Sequence, residues 1–192
     1  MLYRRRLPHV YSTDHPVFVT WRLHGSLPPN RWFSTGTLSA GQAFASMDRL
    51  LDKALTGPCY LRQPALADVV VEAILYSSEV LKHFVLHAFV VMPNHVHLLA
   101  TPLMPLPKMM QSLKTFTARK ANLILGLTGK PFWQEESYDH TVRNRDEFES
   151  IRRYIEENPV RAGLALEASE YQWSSAGWAT GGSPADQGVR PT

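Results

Sequence analysis

His95 and His97 are the residues whose type and spacing most directly suggest chemistry in this chain, in the stretch Val90-Val91-Met92-Pro93-Asn94-His95-Val96-His97-Leu98-Leu99. Pro93-Asn94 suits a tight connection between two apolar runs. The second run reads as a strand, whose side chains alternate between faces. His95 and His97 therefore share one face, and Val96 and Leu98 share the other. Two imidazoles on a stiff strand are half of a metal site. Eight histidines in 192 residues also give close pairs by chance, so a solvent-facing or hydrogen-bonded pair on an edge strand is the competing reading. Tyr154 and Asn158 lie four apart, on one face of an expected helix, and are unremarkable alone.

The elements that must position these groups follow from pattern. Residues 17–23 are rich in β-formers and read as a strand. A helical period runs over about 38–55, through Phe44, Met47, Leu50 and Leu51. Pro64 opens a second helix over 64–80. Residues 81–91 and 95–100 read as a hairpin of antiparallel strands, with His83 and His87 as structural histidines. A helix is expected over 108–125, then a short extended piece over 137–142. A last helix, capped by Asp146, is expected to stop at Pro159. This order fits an α+β domain with a ferredoxin-like β-α-β-β-α-β antiparallel sheet, helices on one face and added helices besides. Fold alone implies no function.

Composition narrows the class. A chain of 192 residues with 44% hydrophobic and 19% charged residues suits one domain, placed at 17–176 between a basic arm, 1–16, and a disordered tail, 177–192. The single cysteine, Cys59, excludes an internal disulfide and a multi-cysteine zinc site. The basic N-terminus lacks a following apolar stretch, so no secretory signal is expected, nor any membrane span, and the expected location is cytoplasmic. Net charge is +3. Its distribution matters more: Arg4, Arg5 and Arg6 form a run, and Lys108, Lys114, Arg119 and Lys120 lie in a segment without acids. Such clusters suit phosphate backbone, although solvated helix faces look the same. Trp133 is a candidate for stacking on a base, with a half-buried tryptophan an equal alternative.

Several stretches together resemble the IS200-like, single-tyrosine transposases of the HUH endonucleases, specifically the REP-associated tyrosine transposases. These are Met92 to Leu99, then Phe132-Trp133-Gln134, Tyr138-Asp139-His140 and Val142-Arg143-Asn144, then Tyr154 to Leu164, then Trp173-Ser174-Ser175. They span roughly residues 10–176 in the family's order. The resemblance implies that His95, His97 and Asn158 hold a divalent metal, Mg²⁺ or Mn²⁺, and that Tyr154 is the catalytic nucleophile. Some other IS200-type members carry glutamine where this chain has Asn158. Tyr138 is the rival tyrosine, off the helix and wrongly spaced for a carboxamide ligand. His140 is a weak candidate for a base and a better one for ordering the site or contacting phosphate. The implied partner is single-stranded or hairpin DNA beside imperfect palindromes, with Lys114, Arg119, Lys120, His140, Arg143 and the arm Arg4–Arg6 as candidate contacts. The implied protein is a monomer or a homodimer. Competing readings are a domesticated DNA-binding protein, a Rep- or relaxase-like nickase, and a structural metal-binding domain.

Overall fold

The computed structural model describes residues 15–27, 40–53 and 57–177. Arg4, Arg5, Arg6 and the tail from residue 178 lie outside them. The described elements are β1 (Val17–Arg22), α1 (Ala40–Asp52), α2 (Pro64–Glu79), β2 (Phe84–Val91), β3 (His95–Pro102), α3 (Leu106–Leu125), β4 (Tyr138–Thr141) and α4 (Arg145–Arg161). The sheet order is β2-β3-β1-β4, and every pairing is antiparallel. This is the expected ferredoxin-like order. β3 is an inner strand, so the histidine pair is not on an edge.

Alternation along the strands builds two cores. Val17, Val19 and Trp21 of β1 and Val96 and Leu98 of β3 face α2 and α3. Phe18 and Leu99 face the other way and pack with Ile155 of α4, and Phe44 of α1 packs against this second cluster. The two crossover helices thus share one face, as expected, and the added helices α1 and α4 share the other. The turn before β3 is closed by Met92 N–H donating to the His95 carbonyl at 2.8 Å. The register between β2 and β3 slips between Leu86 and Ala88, where His87 bonds Thr101 Oγ1 at 2.8 Å.

Helix α4 departs from expectation at both ends. Its cap is Asn144, in extended backbone, whose side chain accepts from Glu147 N–H. Asp146 lies one step inside, in the first turn, where its charge suits the helix's positive end. Pro159 does not stop the helix, which runs on to Arg161. Proline removes its own N–H bond. The following donors remain paired: Ala162 N–H reaches the Asn158 carbonyl at 3.0 Å and Leu164 N–H the Pro159 carbonyl at 2.8 Å. At the other side of the sheet, the segment after α4 lies along β2. Val91 N–H donates to the Trp173 carbonyl, and the Ser175 hydroxyl both accepts from Phe89 N–H and donates to its carbonyl.

Candidate active site

His95 and His97 are fully buried. Each is held from behind by its Nδ1. His95 Nδ1 lies 2.6 Å from Asn94 Oδ1, and Asn94 Nδ2 donates to the Leu51 carbonyl at 3.0 Å. That second bond fixes which end of the carboxamide meets the imidazole. Oδ1 only accepts, so His95 carries its proton on Nδ1 and keeps a lone pair on Nε2. His97 Nδ1 meets the Thr20 hydroxyl of β1 at 2.7 Å. The two Nε2 atoms then face each other at 3.1 Å. The His95 Nε2 lone pair therefore faces the second imidazole nitrogen at the point where a cation or a proton can be shared.

Helix α1 brings carboxylates to the same point. Asp48 and Asp52 are four apart on it, so both face the histidines. Asp48 Oδ1 is 3.2 Å from His97 Nε2 and 3.7 Å from His95 Nε2, and Asp52 Oδ1 is 3.8 Å from His95 Nε2. Asp48, His95 and His97 form a cluster able to hold a metal ion. From α4, Asn158, fully buried, places Nδ2 at 3.4 Å from His97 Nε2. Asp48 Oδ2, Asp52 Oδ1 and Asn158 Oδ1 are buried without a hydrogen-bond partner. Unpaired buried acceptors are costly. Their convergence with the imidazole nitrogens suits a divalent cation.

The electrostatics agree. Burial, with His97 adding to it, pushes the His95 imidazole down to about 3 against the pull of Asp48. Burial alone would raise the Asp48 carboxyl, but His97 above all, then His95 and Arg161, hold it below the usual carboxylate range. Burial, and after it the charge on Asp48, push Asp52 up to about 7. His95 is kept neutral enough to ligate, beside an ionised carboxylate.

Tyr154 of α4 lies over this cluster. Its ring is 5.7 Å from that of His97, centroid to centroid, and edges onto Phe18 and Phe44. The Arg161 guanidinium lies 4.7 Å from the centre of the Tyr154 ring. Tyr138 is nearby as well, stacked on Phe44 at 4.3 Å. Burial, then Asp139 and Glu147, raise its phenol above the ordinary value.

The family model described as "Transposase IS200 like" matches residues 62–158, just over half of the chain. The chain belongs to the IS200-like transposases. No curated protein matches it. A solved REP-associated tyrosine transposase bound to a REP hairpin is similar in fold, with a TM-score of 0.56 at 20% identity, over 91% of this chain and 82% of its own. A candidate transposase from Deinococcus radiodurans R1 aligns over 80% of this chain and 97% of its own at 19% identity, with a TM-score of 0.34.

In this IS200-like transposase, four of the expected site residues meet: His95, His97, Tyr154 and Asn158. Others stand apart. Lys114, Arg119 and Lys120 ride on α3, on the opposite face of the sheet, where Lys114 Nζ donates to the Gln134 and Glu135 carbonyls and Lys120 Nζ lies 5.9 Å from the Phe116 ring centre. A groove of about 780 Å³ between α3 and residues 130–137 lies on that side too, and among the described residues the metal-ligand cluster is not in it. Of the two readings of Trp133, the buried one describes most of the side chain. It is 7% exposed, its indole N–H donates to Thr117 Oγ1 at 2.9 Å, and Trp21 packs against its ring. What remains uncovered lines the groove beside α3. His140 pairs with Glu147 Oε1 at 2.8 Å and so braces the start of α4, and Arg143 is exposed beside it. Asp48, Asp52, Asn94 and Thr20 were missed from sequence. The signal available was the i, i+4 spacing of Asp48 and Asp52.

Proposed function

We propose that this chain is a metal-dependent endonuclease and strand transferase for single-stranded DNA, of the REP-associated branch, cutting beside imperfect palindromes. The observation that carries this reading is the convergence of Tyr154 and Asn158, from one helix, on the buried His95–His97–Asp48 cluster. His95, His97, Asp48 and Asn158 would hold the metal. When bound, it withdraws charge from the scissile phosphate.

The remaining work falls to Tyr154. Its Oη attacks phosphorus in line with the bond to O3′. The Oη–P bond forms as the P–O3′ bond breaks. The proton lost by Oη ends on O3′, which leaves as a free 3′-OH. The DNA 5′ end stays on Tyr154 as a phosphodiester, so a later 3′-OH can attack it and rejoin strands without loss of bond energy. The surroundings of Tyr138 disfavour its phenolate. The site draws all of these groups from one chain, and the reading needs no second copy. The solved REP-associated relative binds a REP hairpin, which supports a hairpin as the partner here.

The test is a covalent protein–DNA band on labelled single-stranded oligonucleotides that span the palindromes flanking this chain's own coding sequence. It should form with Mg²⁺ or Mn²⁺ and disappear with EDTA. A band that forms equally well in EDTA contradicts the metal-dependent reading.

A further inference from the structure

We propose that Arg161 is a further catalytic residue of this site, steadying the Tyr154 ring and binding the scissile phosphate with its guanidinium. The inference rests on the reading above and adds a group that neither the metal cluster nor the tyrosine accounts for.

The helix makes the placement. Because α4 continues through Pro159 to Arg161, residues 154, 158 and 161 fall at i, i+4 and i+7, one stripe of one helix face. Tyr154 and Asn158 already point into the site, and Arg161 follows them. Its guanidinium carbon is 4.7 Å from the Tyr154 ring centre, well inside the range of a cation–π contact. It therefore sits against the ring of the proposed nucleophile. Unlike the buried ligands, Arg161 is exposed, at the mouth of the site.

Charge gives this position its purpose. A phosphodiester carries one negative charge and must approach a site that already contains the Asp48 carboxylate. Further negative charge spreads over the phosphoryl oxygens as Oη attacks. A guanidinium matches two such oxygens at once and stays charged at any working pH. A preset cation aimed at charge that develops in the transition state is a large catalytic effect.

The experiment uses the full chain with Mn²⁺ and a labelled hairpin oligonucleotide that it cuts. Two substrates are compared in single-turnover reactions: the natural phosphodiester and a neutral methylphosphonate at the cut position. On the phosphodiester, Arg161→Gln should form the adduct about 100-fold more slowly than wild type. On the methylphosphonate, with no charge for a guanidinium to meet, the gap should close to within a few fold. Mn²⁺ affinity by calorimetry and the melting temperature should match wild type, and Arg161→Lys, with charge but no planar fork, should fall between. Equal slowing on both substrates, or none on the phosphodiester, overturns the role of Arg161. The two proposals fail separately. If Tyr154→Phe loses the adduct but Arg161→Gln does not slow it, the Arg161 role alone falls. If wild type forms no adduct, or Tyr154→Phe forms it at the wild-type rate, both fall.

Discussion

Asn94 accepts from His95 Nδ1 and donates to the Leu51 carbonyl, so one carboxamide sets an imidazole's tautomer and ties β3 to the end of α1. Outer partners of this kind are worth 10–100-fold in metal affinity. Asn94→Ala should therefore weaken Mn²⁺ binding by about 10–100-fold, read by calorimetry. Asn94→Asp, which still accepts from His95 but cannot donate to Leu51, should lose less. The charged groups predict a pH effect in EDTA. His95 titrates near 3 when folded against an ordinary 6.5. Its contribution to stability is full above 6.5 and is lost as pH falls toward 3, because only the unfolded chain takes the proton. Asp52 titrates near 7 against 3.8. Its contribution is full below 3.8 and is lost as pH rises toward 7. Between about 4 and 6.5 the two slopes oppose each other. Removing one should expose the other: the melting temperature of Asp52→Asn should fall more steeply than that of wild type as pH drops from 6.5 to 4. Parallel curves would contradict these assignments.

Strand β3 and helix α4 carry the residues of the proposed site, and they are not equally legible in the sequence. Strict alternation through His95, Val96, His97 and Leu98 placed the pair on one face, and the structure keeps it there. The sheet order and the two crossover helices also followed from pattern and punctuation. Helix α1 was read from Phe44, Met47, Leu50 and Leu51 as a packing element. The i, i+4 spacing of Asp48 and Asp52 puts them on one face, but carboxylates on an amphipathic helix ordinarily face water, and that spacing does not tell that the sheet's histidines lie beneath them. Pro159 misled for a different reason. A proline removes one hydrogen bond, and the later donors of α4 find carbonyls regardless. The Trp133 segment has no period from which burial can be read; Trp21 and Thr117, distant in sequence, decide it. The closing segment against β2 makes its own prediction. Ser175→Ala leaves the Phe89 N–H and carbonyl without their buried partner and should cost about 1–3 kcal/mol in urea unfolding, with an unchanged m-value.

The whole molecule has two working faces divided by one sheet. The metal cluster and Tyr154 lie between the sheet and helices α1 and α4, while the basic residues of α3 lie on the reverse. No helix among the described residues is long and apolar enough to cross a membrane. A DNA strand cleaved on one face can touch α3 only by passing around the sheet, so affinity and chemistry should separate. Lys114 is tied to the Gln134 and Glu135 carbonyls, which leaves Arg119 and Lys120 as the better probes. An Arg119→Ala, Lys120→Ala double variant should bind single-stranded DNA more weakly and lower the slope of log K against log salt by about 1.4. Its adduct rate at saturating DNA should stay at the wild-type value. An unchanged salt slope would mean that DNA does not use α3.

The central claim is that Tyr154 is the nucleophile of a metal-dependent strand cleavage at His95 and His97. The most direct measurement is the covalent adduct formed with Mn²⁺ on labelled single-stranded palindromic DNA by wild type, Tyr154→Phe and Tyr138→Phe side by side. The account predicts a band that is lost in Tyr154→Phe and kept in Tyr138→Phe. A band that persists in Tyr154→Phe and vanishes in Tyr138→Phe would contradict it.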